Sequence, residues 1–243
     1  MSTAKLVSAS DLEKLRAIDS CTVSNAIERL NVRMRNEGFV SNAVQCRFPD
    51  QAPLVAYAAT ARIRTSSPPM THRCYYDRPD WWTYVASLPT PTVMVLEDAD
   101  REPGAAAFVG EIHAAIAMSL KCIGVVTNGA VRDLPEVQKM GFQMFSGRVS
   151  VSHSYAHITD FGEPVEIGGM RVASGDLIHG DQHGVLTVPM EVAGGIPEEA
   201  GRLRAEEREL LSFCRSPKFS LPELLERIRA NGRAECDMPW RPR

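Results

Sequence analysis

The stretch that most restricts this chain is residues 105–141. Residues 105–109 form a short apolar run that ends at Gly110. Ile112, Ala115, Ile116, Ser119 and Leu120 then recur on one face of a helix starting near Glu111. Residues 123–126 are a second apolar run, closed by Asn128-Gly129. Asp133-Leu134-Pro135-Glu136 opens another helix, which stops at Gly141. Strand, helix, strand, helix at this spacing is a parallel crossover, so this part of the chain belongs to the α/β class.

The flanks read in the same way. Ser10 and Glu13 have capping-box spacing ahead of a first helix, and a second helix runs from about Thr22. Residues 31–53 look irregular. Residues 54–64 read as a strand that ends in Ser66-Ser67-Pro68-Pro69, and 92–96 as a buried strand. The polar, aromatic stretch 66–83, with Tyr75, Tyr76, Trp81 and Trp82, reads as a loop. It is either a lid or subunit contact, or packed loop filler. Beyond 141, short strands are expected at 142–145, 149–151, 165–167, 177–179 and 185–188. A charged amphipathic helix covers 191–213. A last helix, capped by Ser220-Leu221-Pro222-Glu223, ends at Asn231-Gly232. No boundary divides the chain, so the expectation is a single domain over 1–243, with a core of about 21–210 and a helical extension over 215–243. A chain of 243 residues buries roughly 70–75% of its unfolded surface and needs no disulfide or metal staple.

Composition removes several classes. A net charge of −3 argues against a dedicated nucleic-acid binder. The six cysteines form no C-x-x-C pair and read as free thiols of a reducing compartment. Met1-Ser2-Thr3-Ala4-Lys5 lacks the apolar stretch of a secretory signal, and no apolar run reaches membrane-spanning length. A cytoplasmic protein without a membrane partner is expected.

Chemistry concentrates where strands end. Gly110-Glu111-Ile112-His113 and Asn128-Gly129-Ala130-Val131-Arg132-Asp133 both follow predicted strands and open helices, which is where open α/β folds bind ligands. The first offers helix N-terminal N–H groups to an anion. In the second, Arg132 can stabilise an oxyanion and Asp133 can ligate a hard divalent cation. The same residues also read without function. Asp133 and Glu136 have capping-box spacing, Arg132 can be a surface partner, and Glu111 can be a first-turn acid that suits the helix dipole.

Gly110-Glu111, Gly124-Val125-Val126 and Asn128 to Asp133 resemble the signature of the RraA-like family. Gly141-Phe142, Gly168-Gly169, Gly175-Asp176-Leu177-Ile178-His179-Gly180-Asp181, Gly184-Val185 and Pro189 come next, in the family's order. That family includes regulators of ribonuclease activity and class II 4-hydroxy-4-methyl-2-oxoglutarate aldolases. The resemblance covers about 21–210 and is strongest over 104–190. It implies a compact β/β/α swivelling-domain-like fold with helical N- and C-terminal extensions, assembled as homotrimers or homohexamers with active sites shared between subunits. It further implies that the amides of Gly110, Glu111, Ile112 and His113 bind a substrate carboxylate and that Arg132 binds the pyruvyl oxygen. Asp133 would ligate Mg2+ or Mn2+, with Glu111 holding a water of that ion. A C-terminal-helix carboxylate from the neighbouring subunit would complete the site, at Glu207 by offset, with Glu206 the alternative. Three departures from the family pattern bear on substrate: His113 stands where an apolar residue is more usual, His183 where an acid is common, and 66–83 looks altered.

The implied activity is a metal-dependent lyase that cleaves a 4-hydroxy-2-oxo acid and releases pyruvate, with oxaloacetate decarboxylation on the side. The rival is a non-catalytic protein-binding regulator like the ribonuclease-inhibiting branch. The pairs His153/His157 and His179/His183 fall in strand or turn, where four-residue spacing does not bring two rings onto one zinc ion. No glycine-rich nucleotide loop opens an N-terminal strand–turn–helix unit, and no Gly-x-Ser-x-Gly elbow is present. Cys122 sits among apolar residues and reads as packed.

Overall fold

The computed structural model describes residues 6–69 and 78–236, with side chains to residue 229. Strands β1 (Gln45–Cys46), β2 (Leu54–Arg64), β3 (Thr92–Asp98), β4 (Ala107–Val109), β5 (Cys122–Val131), β6 (Gln143–Val149), β7 (His157–Phe161), β10 (Leu177–Asp181) and β11 (Gly184–Val188) form one sheet. Its order is β1-β6-β5-β3-β2-β10-β11, with β4 also paired to β5 and β7 to β2. The pairs β2–β3, β3–β5, β5–β6 and β4–β5 are parallel, and the remaining pairs are antiparallel. The fold is mixed α/β, and the expected parallel crossover lies at its centre.

Burial explains the layers. A parallel strand covered on both faces loses its polar alternation. In β3, Val93 and Val95 face one core while Met94 and Leu96 face another. The first core is roofed by the hairpin β8 (Val165–Ile167) and β9 (Met170–Val172), through Val165, Ile167, Met170 and Val172. The second is roofed by α3 (Pro79–Ser87), α4 (Glu111–Ser119) and α5 (Leu134–Met140), through Trp81, Val85, Ala114, Ala117 and Val137. A third core joins Val55, Tyr57, Leu177 and Val188 to α1 (Ala9–Arg16), α2 (Ser20–Leu30) and α6 (Ile196–Cys214). α7 (Leu221–Cys236) comes after α6.

Several expectations need correction. The first helix is capped by Ser8, whose hydroxyl accepts from the Asp11 N–H, and not by Ser10. The second is capped by Asp19, whose carboxylate takes the Thr22 N–H. Stretch 66–83 is not all loop, because Pro79 starts α3 and Trp81 is fully buried against Tyr84 and Phe161. Tyr75 and Tyr76 lie outside the described residues. The strand expected at 149–151 is the tail of β6 and a loop, and β7 and β9 carry no signal strong enough to have been read. The last helix continues through Asn231-Gly232 to Cys236. α6 begins at Ile196, after Gly194-Gly195.

The most consequential correction is at Asn128-Gly129, which does not end its strand. Asn128 Oδ1 accepts the Asp98 N–H at 2.7 Å and its Nδ2 donates to the Asp98 carbonyl at 3.1 Å. The side-chain amide thus stands in for a peptide partner. Gly129 passes where a Cβ would stand 3.1 Å from the Asp98 Cβ. The pairing of β5 with β6 shifts register between Thr127 and Ala130. Such an irregularity bends a strand and re-aims the residues beyond it. Ala130 and Val131 can then pair with β4, which sets Arg132 beside Gly110.

Candidate active site

Two turns meet at the C-terminal ends of β4 and β5. The Arg132 N–H donates to the Val109 carbonyl at 3.0 Å, tying one turn to the other. Asp133 then adopts a left-handed backbone, φ +56° and ψ +40°. Few residues other than Gly, Asn and Asp take that conformation readily. It also disposes of the capping-box reading. Asp133 occupies the N-cap position of α5, yet its side chain caps nothing there. Its carboxylate turns across to α4 instead. Oδ2 accepts the Glu111 N–H at 3.0 Å, and Oδ1 accepts Arg132 Nε at 3.0 Å.

Gly110 makes this approach possible. Its backbone is extended and would suit any residue. A Cβ there, however, would stand 2.8 Å from Arg132 Cγ and closer still to Asp133 Oδ2. The electrostatics favour an ionised acid. Partial burial alone would raise the Asp133 carboxyl, but the Glu111 N–H and the Arg132 guanidinium outweigh it and hold the group below its ordinary 3.8.

These groups line a cavity of about 200 Å³ walled by Phe108, Gly110, Glu111, Ile112, His113, Arg132, Asp133 and His153. The structure therefore brings together Gly110, Glu111, Ile112, His113, Arg132 and Asp133. The Glu111 N–H is occupied by Asp133, so of the four amides expected to bind an anion this one is already committed. Ile112 and His113 lie in the same first turn of α4, where N–H groups have no acceptor within the helix. The His113 ring is buried, 4.8 Å from Phe108 and 5.9 Å from Trp82 between ring centroids.

Glu207 is not in this cavity. It lies exposed on α6, the helix that packs on α1 and α2, and has no ion-pair or hydrogen-bond partner among the described residues. Glu206 is engaged within its own chain, where Arg29 binds both its oxygens at 2.7 and 3.0 Å. Phe108 and His153 are the lining residues missed from sequence. His153 had drawn attention only as half of a histidine pair.

The histidine pairs hold no shared ion position. His153 and His157 each direct Nδ1 to a neighbouring carbonyl, Ser154 O and Tyr155 O. His179 is buried against Ser20 and the Leu15 and Ile18 carbonyls, while His183 bonds Asp181 in the β10–β11 turn. Cys122 is buried, and burial pushes its thiol above the ordinary range. Among the described residues no group of three or more His, Cys, Asp or Glu side chains could hold a metal, and no helix is long and apolar enough to cross a membrane.

The fold and this pair of turns define a class, and comparison with known proteins names it. The family model RraA-like (Aldolase/RraA) matches residues 20–187, so the chain belongs to the RraA-like family. A relative from Halalkalibacterium halodurans, whose name assigns it provisionally as a 4-hydroxy-4-methyl-2-oxoglutarate aldolase, is 28% identical over 102 residues. That alignment spans 42% of this chain and 49% of the relative, about half its length. Among solved structures, an uncharacterized protein from Pseudomonas syringae pv. tomato superposes with a TM-score of 0.71 at 20% identity, covering 93% of this chain and 97% of that one. Streptomyces coelicolor RraAS2, described as an unusual member of the RNase ES inhibitor RraA family, gives 0.64 at 18% identity, covering 86% and 98%. At these identities the structural likeness concerns the fold alone.

Proposed function

We propose that this chain is a divalent-metal-dependent aldolase that cleaves a 4-hydroxy-2-oxo acid and releases pyruvate by way of its enolate. Oxaloacetate decarboxylation, which passes through the same enolate, is the expected side activity. The observation that carries this reading is the Arg132–Asp133 pair, clamped to the first turn of α4 around one small cavity.

The donor set suits Mg2+ or Mn2+. Each Asp133 oxygen spends one lone pair on Glu111 N–H or Arg132 Nε and keeps another. One ionised carboxylate with room for waters is what such a hard, strongly hydrated cation takes. Asp133 would hold the ion, and Glu111, at the same helix end, would orient one of its waters. When bound, the ion supplies Lewis-acid stabilisation of charge on the 2-oxo oxygen.

The chain's own groups do the rest. The Ile112 and His113 amides, at the positive end of α4, bind the substrate carboxylate. Arg132 uses Nε for Asp133, and its terminal nitrogens have no partner among the described residues, so they can grip the oxygen on which enolate charge develops. Loss of the 4-hydroxyl proton breaks C3–C4 and leaves the electron pair on that enolate.

The same reading includes a homo-oligomer, a trimer or hexamer, in which Glu207 of one copy reaches the cavity of the next. Two features support it. Glu207 is exposed and uncommitted, whereas Glu206 is tied to Arg29. Exposed apolar side chains also gather on the chain segments that border the cavity: Ile112 (60% exposed), Val149, Val151 (95%) and Tyr155. Exposed apolar side chains on segments beside a cavity suit a subunit contact.

The test is pyruvate release from a panel of 4-hydroxy-2-oxo acids, with Mg2+ and with EDTA, beside Asp133→Asn. Asparagine tolerates the left-handed backbone and can still accept the Glu111 N–H. Release that needs Mg2+ and vanishes in Asp133→Asn, at an unchanged melting temperature, is the expected result. No release from any substrate, with no oxaloacetate decarboxylation, overturns the proposal.

A further inference from the structure

The cavity contains an imidazole that has no part in the chemistry of Arg132, Asp133 and the α4 amides. His153 comes from the loop between β6 and β7, a third chain segment beside the two turns that carry Arg132 and Gly110. That loop is bonded to both neighbouring strands. The Ser150 N–H donates to Val131 O at 3.1 Å, and the Ala107 N–H donates to Ser152 O at 2.8 Å. The Ser154 N–H donates to Ser152 Oγ at 2.9 Å, and the Ala156 N–H to His153 O at 2.8 Å. Ser154 itself holds a positive φ of 41°, which a serine seldom adopts. Strained backbone of this kind persists where the surroundings over-determine it, and it concentrates near functional sites.

The consequence falls on the ring. His153 Nδ1 lies 3.2 Å from the Ser154 carbonyl. A carbonyl only accepts, so Nδ1 carries the hydrogen, and in the neutral ring Nε2 is the basic atom. A ring whose Nδ1 faces a carbonyl of its own loop, at the wall of a cavity that also holds Arg132 and Asp133, is placed to act as a general base.

We propose that His153 is a catalytic acid–base residue of this site, a role that rests on the aldolase reading. Nε2 takes the proton of the substrate's 4-hydroxyl. The O–H electron pair becomes the new C4 carbonyl, and the C3–C4 pair becomes the enolate held by Arg132. After the carbonyl fragment leaves, the imidazolium returns its proton to C3 and pyruvate is complete. One proton leaves and one returns, so no co-reactant is required. In reverse, the neutral ring removes a methyl proton from pyruvate.

That reverse half-reaction supplies the test. Pyruvate in D2O with Mg2+ is followed by proton NMR for loss of the methyl signal, and pyruvate release is followed across pH. His153→Gln keeps a polar side chain of similar reach that does not titrate. The expected result is a fall of about 10²-fold or more in kcat and in methyl exchange, with KM little changed. The limb of the wild-type pH profile that reports the base should be lost, and His153→Ala should recover part of its rate when free imidazole is added. His153→Gln with wild-type turnover and an unaltered pH profile overturns the role of His153 alone. So does a defect confined to KM or to thermal stability. Wild-type protein that neither releases pyruvate nor exchanges its methyl protons overturns the aldolase reading, and this inference with it.

Discussion

Gly110→Ala isolates the geometry of the site from its chemistry, because it removes no functional group. The extended backbone at Gly110 accepts alanine without strain, so any effect must come from space. The new methyl would stand 2.8 Å from Arg132 Cγ and 3.2 Å from Asp133 Cγ, both inside ordinary van der Waals contact. Asp133 and Arg132 must then give way by something on the order of 1 Å, a shift that costs about 10²-fold when it displaces groups around a reacting centre. That is about 2.7 kcal/mol of transition-state stabilisation. The stability cost is smaller. Losing the charge-assisted bond to the Glu111 N–H would be worth about 1.5–3 kcal/mol if buried, but Asp133 is about one-third exposed and water recovers much of it, so about 1 kcal/mol remains. For a chain of this size that lowers the melting temperature by about 2–4 °C. Gly141→Ala is the control. Its φ of +78° makes alanine strained, yet nothing stands within 4 Å of the added methyl. It should cost about 1–2 kcal/mol of stability and leave turnover alone. The assay is kcat and Mg2+ dependence of pyruvate release, with melting temperatures measured alongside. Gly110→Ala within about threefold of wild-type kcat, or Gly141→Ala equally impaired, would refute the argument.

The other predictions concern charge, assembly and pH. Arg132→Lys should lower kcat by about 10²-fold, because an ammonium cannot bond Asp133 and also fork onto the enolate oxygen; unchanged turnover would remove Arg132 from that role. Mixed oligomers of Asp133→Asn and Glu207→Ala chains should regain part of the activity that each lacks alone, and no recovery in verified mixed assemblies would exclude Glu207 as the acid supplied across the interface. His179 is buried, and desolvation holds its pKa below the ordinary 6.5 despite the Leu15 and Ile18 carbonyls, which favour the charged ring. Its contribution to stability is complete above 6.5 and is lost as pH falls through the lowered folded value, so the melting temperature should decline on acidification below 6.5. That decline should be shallower in His179→Gln, and a parallel decline would assign it to other groups.

The parallel centre of the fold was legible because both faces of β3 are covered. Its sequence, TVMVLED, is therefore apolar in consecutive positions and bounded by polar turns. The existence of α4 was legible from its helical spacing, but its packed face was not: Ile112, Ala115 and Ser119, read as part of the apolar stripe, are exposed, and the helix packs through His113, Ala114 and Ala117. What misled was local chemistry that tertiary contact overrode. Asn-Gly is a turn signal, but Asn128 spends its amide on Asp98 across the sheet and the strand runs on for two more residues. Trp81 and Trp82, met in a polar, proline-bearing stretch, looked like loop residues. Only the core beneath Trp81 shows that Pro79 is the start of a helix.

The site divides in the same way. Each of its turns was readable from strand ends and helix starts, and their proximity came from the crossover that joins them. The decisive fact was not readable. Asp133 at capping-box spacing from Glu136 reads as a cap, and only its left-handed backbone turns the carboxylate away from α5 to the Glu111 N–H. Gly110 carries the matching signal in hindsight, since a glycine whose backbone is extended is there for space and not for conformation. His153 entered the sequence reading only as half of a histidine pair, and nothing in that spacing pointed to the cavity. Its place depends on the Ser150 and Ser152 bonds that fold the β6–β7 loop against β5 and β4, pairings between residues 19 and 45 positions apart that no local period encodes.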